Sequence, residues 1–109
     1  MAETITIEEF RRLDLRAGTI TAADAHPNAD RLLVLRIDIG GEERQVVAGI
    51  RAHYPSEALR GRQVIVVANL VPAMLRGVES QGMVLAAADG DRVVLLALEQ
   101  PVAPGSSVR

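Results

Sequence analysis

The feature that most constrains this chain is a two-residue hydrophobic period. Leu33, Leu35, Ile37 and Ile39 alternate with Val34, Arg36 and Asp38, which lines branched apolar side chains along one face of an extended strand and makes no 3.6-residue stripe. Gly40-Gly41 follows as a hairpin signal, and Gln45 to Ile50 returns as the next strand. Other segments read the same way. Leu15 to Ala25 mixes β-branched and small residues around Gly18 and predicts a first strand with a bulge or bend at the glycine. Val64 to Ala68 is too short and too β-branched for a helix, so it predicts a buried strand closing at Asn69. Met83 to Ala88 and Arg92 to Leu98 flank Asp89-Gly90-Asp91, a second hairpin.

Little in the chain predicts helix. Thr6 and Glu9 have the spacing of a capping box, with Ile7, Phe10 and Leu13 at helical intervals, so a short amphipathic helix is expected at the N-terminus. Tyr54 to Leu59 reads as a loop opening a single helical turn that Gly61 ends. His26-Pro27-Asn28-Ala29-Asp30 is turn chemistry, and Pro101, Pro104 and Gly105 predict an irregular tail. Five or six short strands without a βαβ rhythm indicate a small, mostly-β barrel or sandwich. At 109 residues one domain spanning 1–109 is expected. Val93 to Leu98 is apolar on both faces; either a second subunit or the N-terminal helix and tail would cover it.

Composition removes several chemistries. With no cysteine, disulfides, thiolate metal sites and cysteine nucleophiles are excluded, and a reducing cytoplasm is the expected home. No apolar run approaches the ~18 residues of a membrane span, and Glu3, Glu8 and Glu9 do not fit the basic-then-apolar layout of a signal peptide. Ser80 lacks the glycine two residues before it that a nucleophile elbow needs; Val78 stands there. The two histidines, His26 and His53, could join Asp24 and Asp30 around a metal only if two separated loops met. No glycine-rich phosphate loop or isolated carboxylate pair is present. The expectation is a protein that is not an enzyme and needs neither cofactor nor metal.

Charge is unevenly distributed. The net charge is −2, yet residues 31–76 hold seven arginines against four acids, so a basic face is compatible with an acidic whole. All twelve basic residues are arginine; its planar fork suits phosphate and guanine edges, although a GC-rich codon bias produces the same skew. Phe10 and Tyr54 are the only aromatics, too few for the stacking platforms of general single-strand binders. Any RNA would be read by shape, backbone and a few pockets. Between Asn69 and Met83 the chain places an amide, a guanidinium, a hydroxyl and a second amide on what reads as one loop between apolar strands, where a rigid scaffold could present them.

At these residues a resemblance emerges. Phe10…Leu13-Asp14-Leu15-Arg16, His26-Pro27-Asn28-Ala29-Asp30-Arg31-Leu32, Val47-Ala48-Gly49-Ile50, Val67-Ala68-Asn69-Leu70 and Arg76-Gly77-Val78-Glu79-Ser80-Gln81-Gly82-Met83 resemble, in order and spacing, a tRNA-binding domain. That domain occurs as free dimeric proteins, at the C-terminus of bacterial methionyl-tRNA synthetases, in phenylalanyl-tRNA synthetase β-chains and in a cytokine-like cofactor of animal synthetase complexes. The resemblance implies an OB-fold, a five-stranded Greek-key barrel with a short N-terminal helix and a C-terminal extension that takes part in homodimerisation. It implies shape recognition of tRNA, with assistance to an aminoacyl-tRNA synthetase in trans.

Carried onto this sequence, the RNA-binding positions are Asn69, Arg76, Ser80, Gln81 and Met83, supported by Arg31, Arg36 and Arg44. Two departures stand out: family members commonly carry lysine where this chain has Val71 and Met74, and weaker binding follows. The ending Leu95 to Gly105 also resembles a related branch, export-associated chaperone-like proteins that bind unfolded polypeptide, but that branch's characteristic Ser-Ser-Ala-Gln and Asn-Phe-Pro-Pro stretches are absent from this chain. Polypeptide binding is therefore the alternative function, and a synthetase tether that does not touch RNA is a third.

Overall fold

The computed structural model describes residues 3–109. The main sheet is antiparallel and runs β3 (Glu43–Ala48), β2 (Leu33–Asp38), β1 (Leu15–Ala25), β4 (Gln63–Val67), β7 (Met83–Val84), with β10 (Ser107–Val108) also on β1. One edge of β1 pairs with β4 over Leu15–Thr19; the other takes β10 at Leu15 and Arg16, then β2 from Thr19 to Ala25. Serving three partners requires its 11 residues. Gly18 does not bend this strand. It removes a side chain, since a Cβ there would stand 2.5 Å from Ile37 Cγ2, while the register shift falls between Ile20 and Ala22.

The predicted alternation holds in β2, whose Leu33, Leu35 and Ile37 are fully buried with Ile20, Ile39, Val46, Leu59, Val64 and Val66. Each such side chain contributes about 1.5–3 kcal/mol relative to exposure. β4 is buried on both faces, because Val64 and Val66 enter this core and Ile65 and Val67 a second cluster outside the sheet with Leu15. Phe10, Leu85, Leu98 and Val108 pack on that outer cluster. The mostly-β, barrel-like fold with a short N-terminal helix and a C-terminal extension is thus present.

Several local details differ from the sequence pattern. The helix α1 is one turn, Ile7–Phe10, with the expected capping box between Thr6 and Glu9; Ile7 and Leu13 are exposed and only Phe10 packs. The expected strand Met83–Ala88 is broken at Leu85 into β7 and β8 (Ala86–Asp89), and β8 pairs only with β9 (Arg92–Leu95). β5 (Ala73–Leu75) and β6 (Val78–Ser80) form a further hairpin where one loop was expected. The tail is not wholly irregular: Gly105 N–H donates to Ala17 O at 2.7 Å, Ala17 N–H to Ser106 O at 2.9 Å, and β10 follows. Gly105 is required there. Its φ is +90° and a Cβ would meet Ile39 O at 2.5 Å.

Candidate nucleic-acid interface

β3 is the edge of the main sheet, and an open edge exposes unpaired backbone groups. Residues 80 and 81 cover it. Gln81 N–H donates to Gln45 O at 2.7 Å, Gln45 N–H donates to Gln81 Oε1 at 3.0 Å, and Val47 N–H donates to Ser80 Oγ at 3.0 Å. Ser80 Oγ–H in turn donates to Gly82 O at 3.0 Å, and the residue is only 5% exposed. Gln45 Nε2 adds a bond to Glu79 O at 2.8 Å. Gly82 lets the chain pass β4, since a Cβ would stand 3.0 Å from Val67 O.

Asn69 and Arg44 are braces as well. Asn69 Oδ1 accepts from Asp14 N–H at 2.8 Å and its Nδ2 donates to Arg12 O at 2.6 Å, tying the end of β4 to the segment between α1 and β1. The Asp14 carboxylate pairs with Arg16 at 2.9 Å, and that hydrogen bond, with the carboxylate charge, raises the Arg16 guanidinium above its ordinary pKa. Arg44 Nη1 donates to Ala68 O at 2.7 Å and Gln81 O at 3.3 Å, and its Nε contacts Glu42 at 3.2 Å. Of the eight sequence-predicted positions, Asn69, Ser80 and Arg44 are therefore committed to the protein's own backbone. Gln81 commits its Oε1.

The remaining four face solvent. Arg31, Arg36 and Arg76 are exposed and make no ion pair among the described residues, and Met83 is 47% exposed. Met83 rims an apolar cleft of ≈ 200 Å³ lined by Val47, Ala48, Gly49 and Val84. Arg36 lies on β2 opposite Gln45, whereas Arg31 belongs to the loop 26–32, which Arg76 reaches. There Arg76 Nη2 donates to Asn28 O at 3.3 Å, and Arg51, which the family motif did not single out, donates from Nη1 to Ala29 O at 3.3 Å. Two guanidinium groups thus sit on consecutive carbonyls, whose α-carbons are about 3.8 Å apart, and Arg51 N–H bonds Arg31 O at 3.4 Å. The basic middle of the sequence held this signal, but position alone did not separate Arg51 from Arg60 or Arg62. Arg62 instead covers the Tyr54 ring at 5.5 Å.

Tyr54 accepts Leu95 N–H at 3.0 Å through its hydroxyl, and Phe10 packs on the outer cluster. Both aromatics therefore take part in internal packing. Among the described residues no group of three His, Cys, Asp or Glu side chains could hold a metal, and no helix is long and apolar enough to cross a membrane.

The putative tRNA-binding domain family model matches residues 15–107. Over 107 residues the chain is 51% identical to the methionine–tRNA ligase of Thermococcus kodakarensis, covering 98% of this chain but 14% of the ligase. Among solved structures, a MetRS-related protein from Pyrococcus horikoshii superposes with a TM-score of 0.92 at 35% identity, covering 99% of this chain and all of the other. The chaperone CsaA of Bacillus anthracis superposes at 0.89 with 32% identity, covering 98% and 100%. These matches run through the braces and the arginine-bearing loops alike, and the chain belongs to the putative tRNA-binding domain family.

Proposed function

We propose that this chain is a non-catalytic tRNA-binding module, one domain over 1–109, that grips the RNA by backbone and shape. The observation that carries this reading is that the Arg51 and Arg76 guanidinium groups both bond carbonyls of the loop 26–32, which itself bears Arg31, and that none of the three has a carboxylate partner among the described residues. Guanidinium groups held on carbonyls keep further N–H donors for phosphate oxygens. With both aromatics engaged internally, stacking is not the basis of affinity. Arg36, Gln81 Nε2 and Met83 extend the same contact surface. Asn69, Ser80 and Arg44 serve binding by holding its loops. In this reading the molecule is a cytoplasmic homodimer that assists an aminoacyl-tRNA synthetase in trans.

A second reading, binding of unfolded polypeptide, is favoured by an apolar surface next to the arginines. Val71 is 88% and Met74 66% exposed, and Leu70 and Leu75 beside them in the chain are exposed too; isolated exposed apolar residues are ordinary, but a contiguous group is a contact surface. The likeness to CsaA points the same way. Binding of unfractionated tRNA across a salt series, with an unfolded polypeptide as competitor, separates the two. The tRNA reading expects saturable binding that weakens with salt and resists the polypeptide, and its slope counts the phosphates engaged. Binding of polypeptide without tRNA even at low salt would reverse the assignment. Val71→Lys with Met74→Lys should steepen the slope by about two units while weakening polypeptide binding.

A further inference from the structure

Among the described residues only two polar side chains are buried, Ser80 and His26. Ser80 closes the sheet edge; the RNA surface makes no direct use of His26. The imidazole is 3% exposed and engaged at both nitrogens. Asn28 N–H donates to Nδ1 at 2.9 Å, so Nδ1 is an acceptor and the ring proton sits on Nε2, 2.9 Å from the carbonyl of Leu75 to which it donates. Arg76, the next residue, returns a bond to Asn28 O at 3.3 Å. Asn28, His26, Leu75 and Arg76 form a closed ring that joins the β1–β2 loop to the tip of the β5–β6 hairpin.

That hairpin needs such a fastening. It is a two-stranded sheet separate from the main one, and isolated two-stranded hairpins are marginal in water. Its base is fixed by Ser80, Gln45 and Gln81, and the ring holds its tip. At the tip Arg76 stands at φ +53°, a left-handed conformation that a non-glycine residue keeps only when its surroundings hold it there.

We propose that His26 is a positioning residue for RNA binding: it locks the hairpin tip onto the loop, so that Arg76 is presented beside Arg51 as one cationic site for the phosphodiester backbone. This rests on the tRNA-binding reading, and the test keeps the two apart. His26→Ala, His26→Gln, Arg76→Ala and the double variant His26→Ala/Arg76→Ala are compared with the native protein by salt-dependent tRNA binding. Amide exchange of residues 74–78 is followed in parallel without RNA. Expected for His26→Ala are faster exchange at the tip, binding about tenfold weaker and a slope lower by about one unit, as for Arg76→Ala. The double variant should lose no more than either single variant, and His26→Gln, which keeps a donor toward Leu75, should restore most of the loss.

A merely structural role would lower the folded fraction and leave the slope unchanged, and that result overturns the proposal. So do fully additive losses in the double variant. If the native protein fails to bind tRNA the functional reading falls, and unchanged tip exchange in His26→Ala refutes the lock by itself.

Discussion

Ser80 shows how one oxygen can decide the meaning of a motif. Its hydroxyl accepts from Val47 N–H and donates to Gly82 O, both at 3.0 Å, in a site with 5% exposure. Ser80→Ala should therefore destabilise the protein by about 1–3 kcal/mol, because a buried N–H and a carbonyl lose their partners. Denaturant unfolding should show a lower midpoint with an unchanged slope, and the variant, while folded, should bind tRNA with the native salt dependence. A direct RNA contact would instead lower affinity at full stability. Asn69 follows the same logic, with its amide spent on Asp14 and Arg12. Residue type and spacing were legible here; the direction of each side chain was not, since an amide or hydroxyl suits a phosphate and a backbone group equally.

The element that eluded sequence reading is the β5–β6 hairpin. Its strands have three residues each, and all of β5 is exposed, so no hydrophobic alternation marks it. Its only signal is Arg76-Gly77, with φ of +53° and +90° in a two-residue turn between the paired Leu75 and Val78, the conformation a type I′ turn demands. Asparagine and glycine fit such turns better than arginine. Arg76→Asn should thus raise stability by about 0.5–1 kcal/mol through relief of backbone strain, while tRNA affinity falls. Calorimetry beside the binding assay checks this opposition of sign, and a variant that lost both would show that the guanidinium bond to Asn28 outweighs the strain. By contrast β2 and β4 were legible, because their alternation or full burial is written in consecutive side chains.

For the whole molecule, the open question of Val93–Leu98 resolves into several surfaces. Val93 and Leu95 meet the main core and Leu98 the outer cluster, yet Val94 and Leu96 remain 41% and 38% exposed, beside an exposed β8. A second copy on this face is the proposed dimer contact. Truncation before Val93 would remove core residues with it, so Leu96→Asp is the sharper variant: sedimentation should show a monomer with an intact fold, and a persistent dimer would move the contact elsewhere. The chain spans about a seventh of the methionine–tRNA ligase it matches at 14% coverage, so any link to a synthetase is a matter for pull-down and aminoacylation assays. The sequence alone determined β1 to β4, the hairpins at Gly40-Gly41 and Gly90, and the capped first turn, because each is encoded by neighbours a few residues apart, and its ordered motifs pointed to the family. Only the tertiary structure decided that Asn69, Ser80 and Arg44 bond the chain's own backbone, that Arg51 joins Arg76, and that His26 fastens the hairpin. Those choices depend on which distant backbone groups the fold leaves without partners, and every buried N–H or carbonyl must find one.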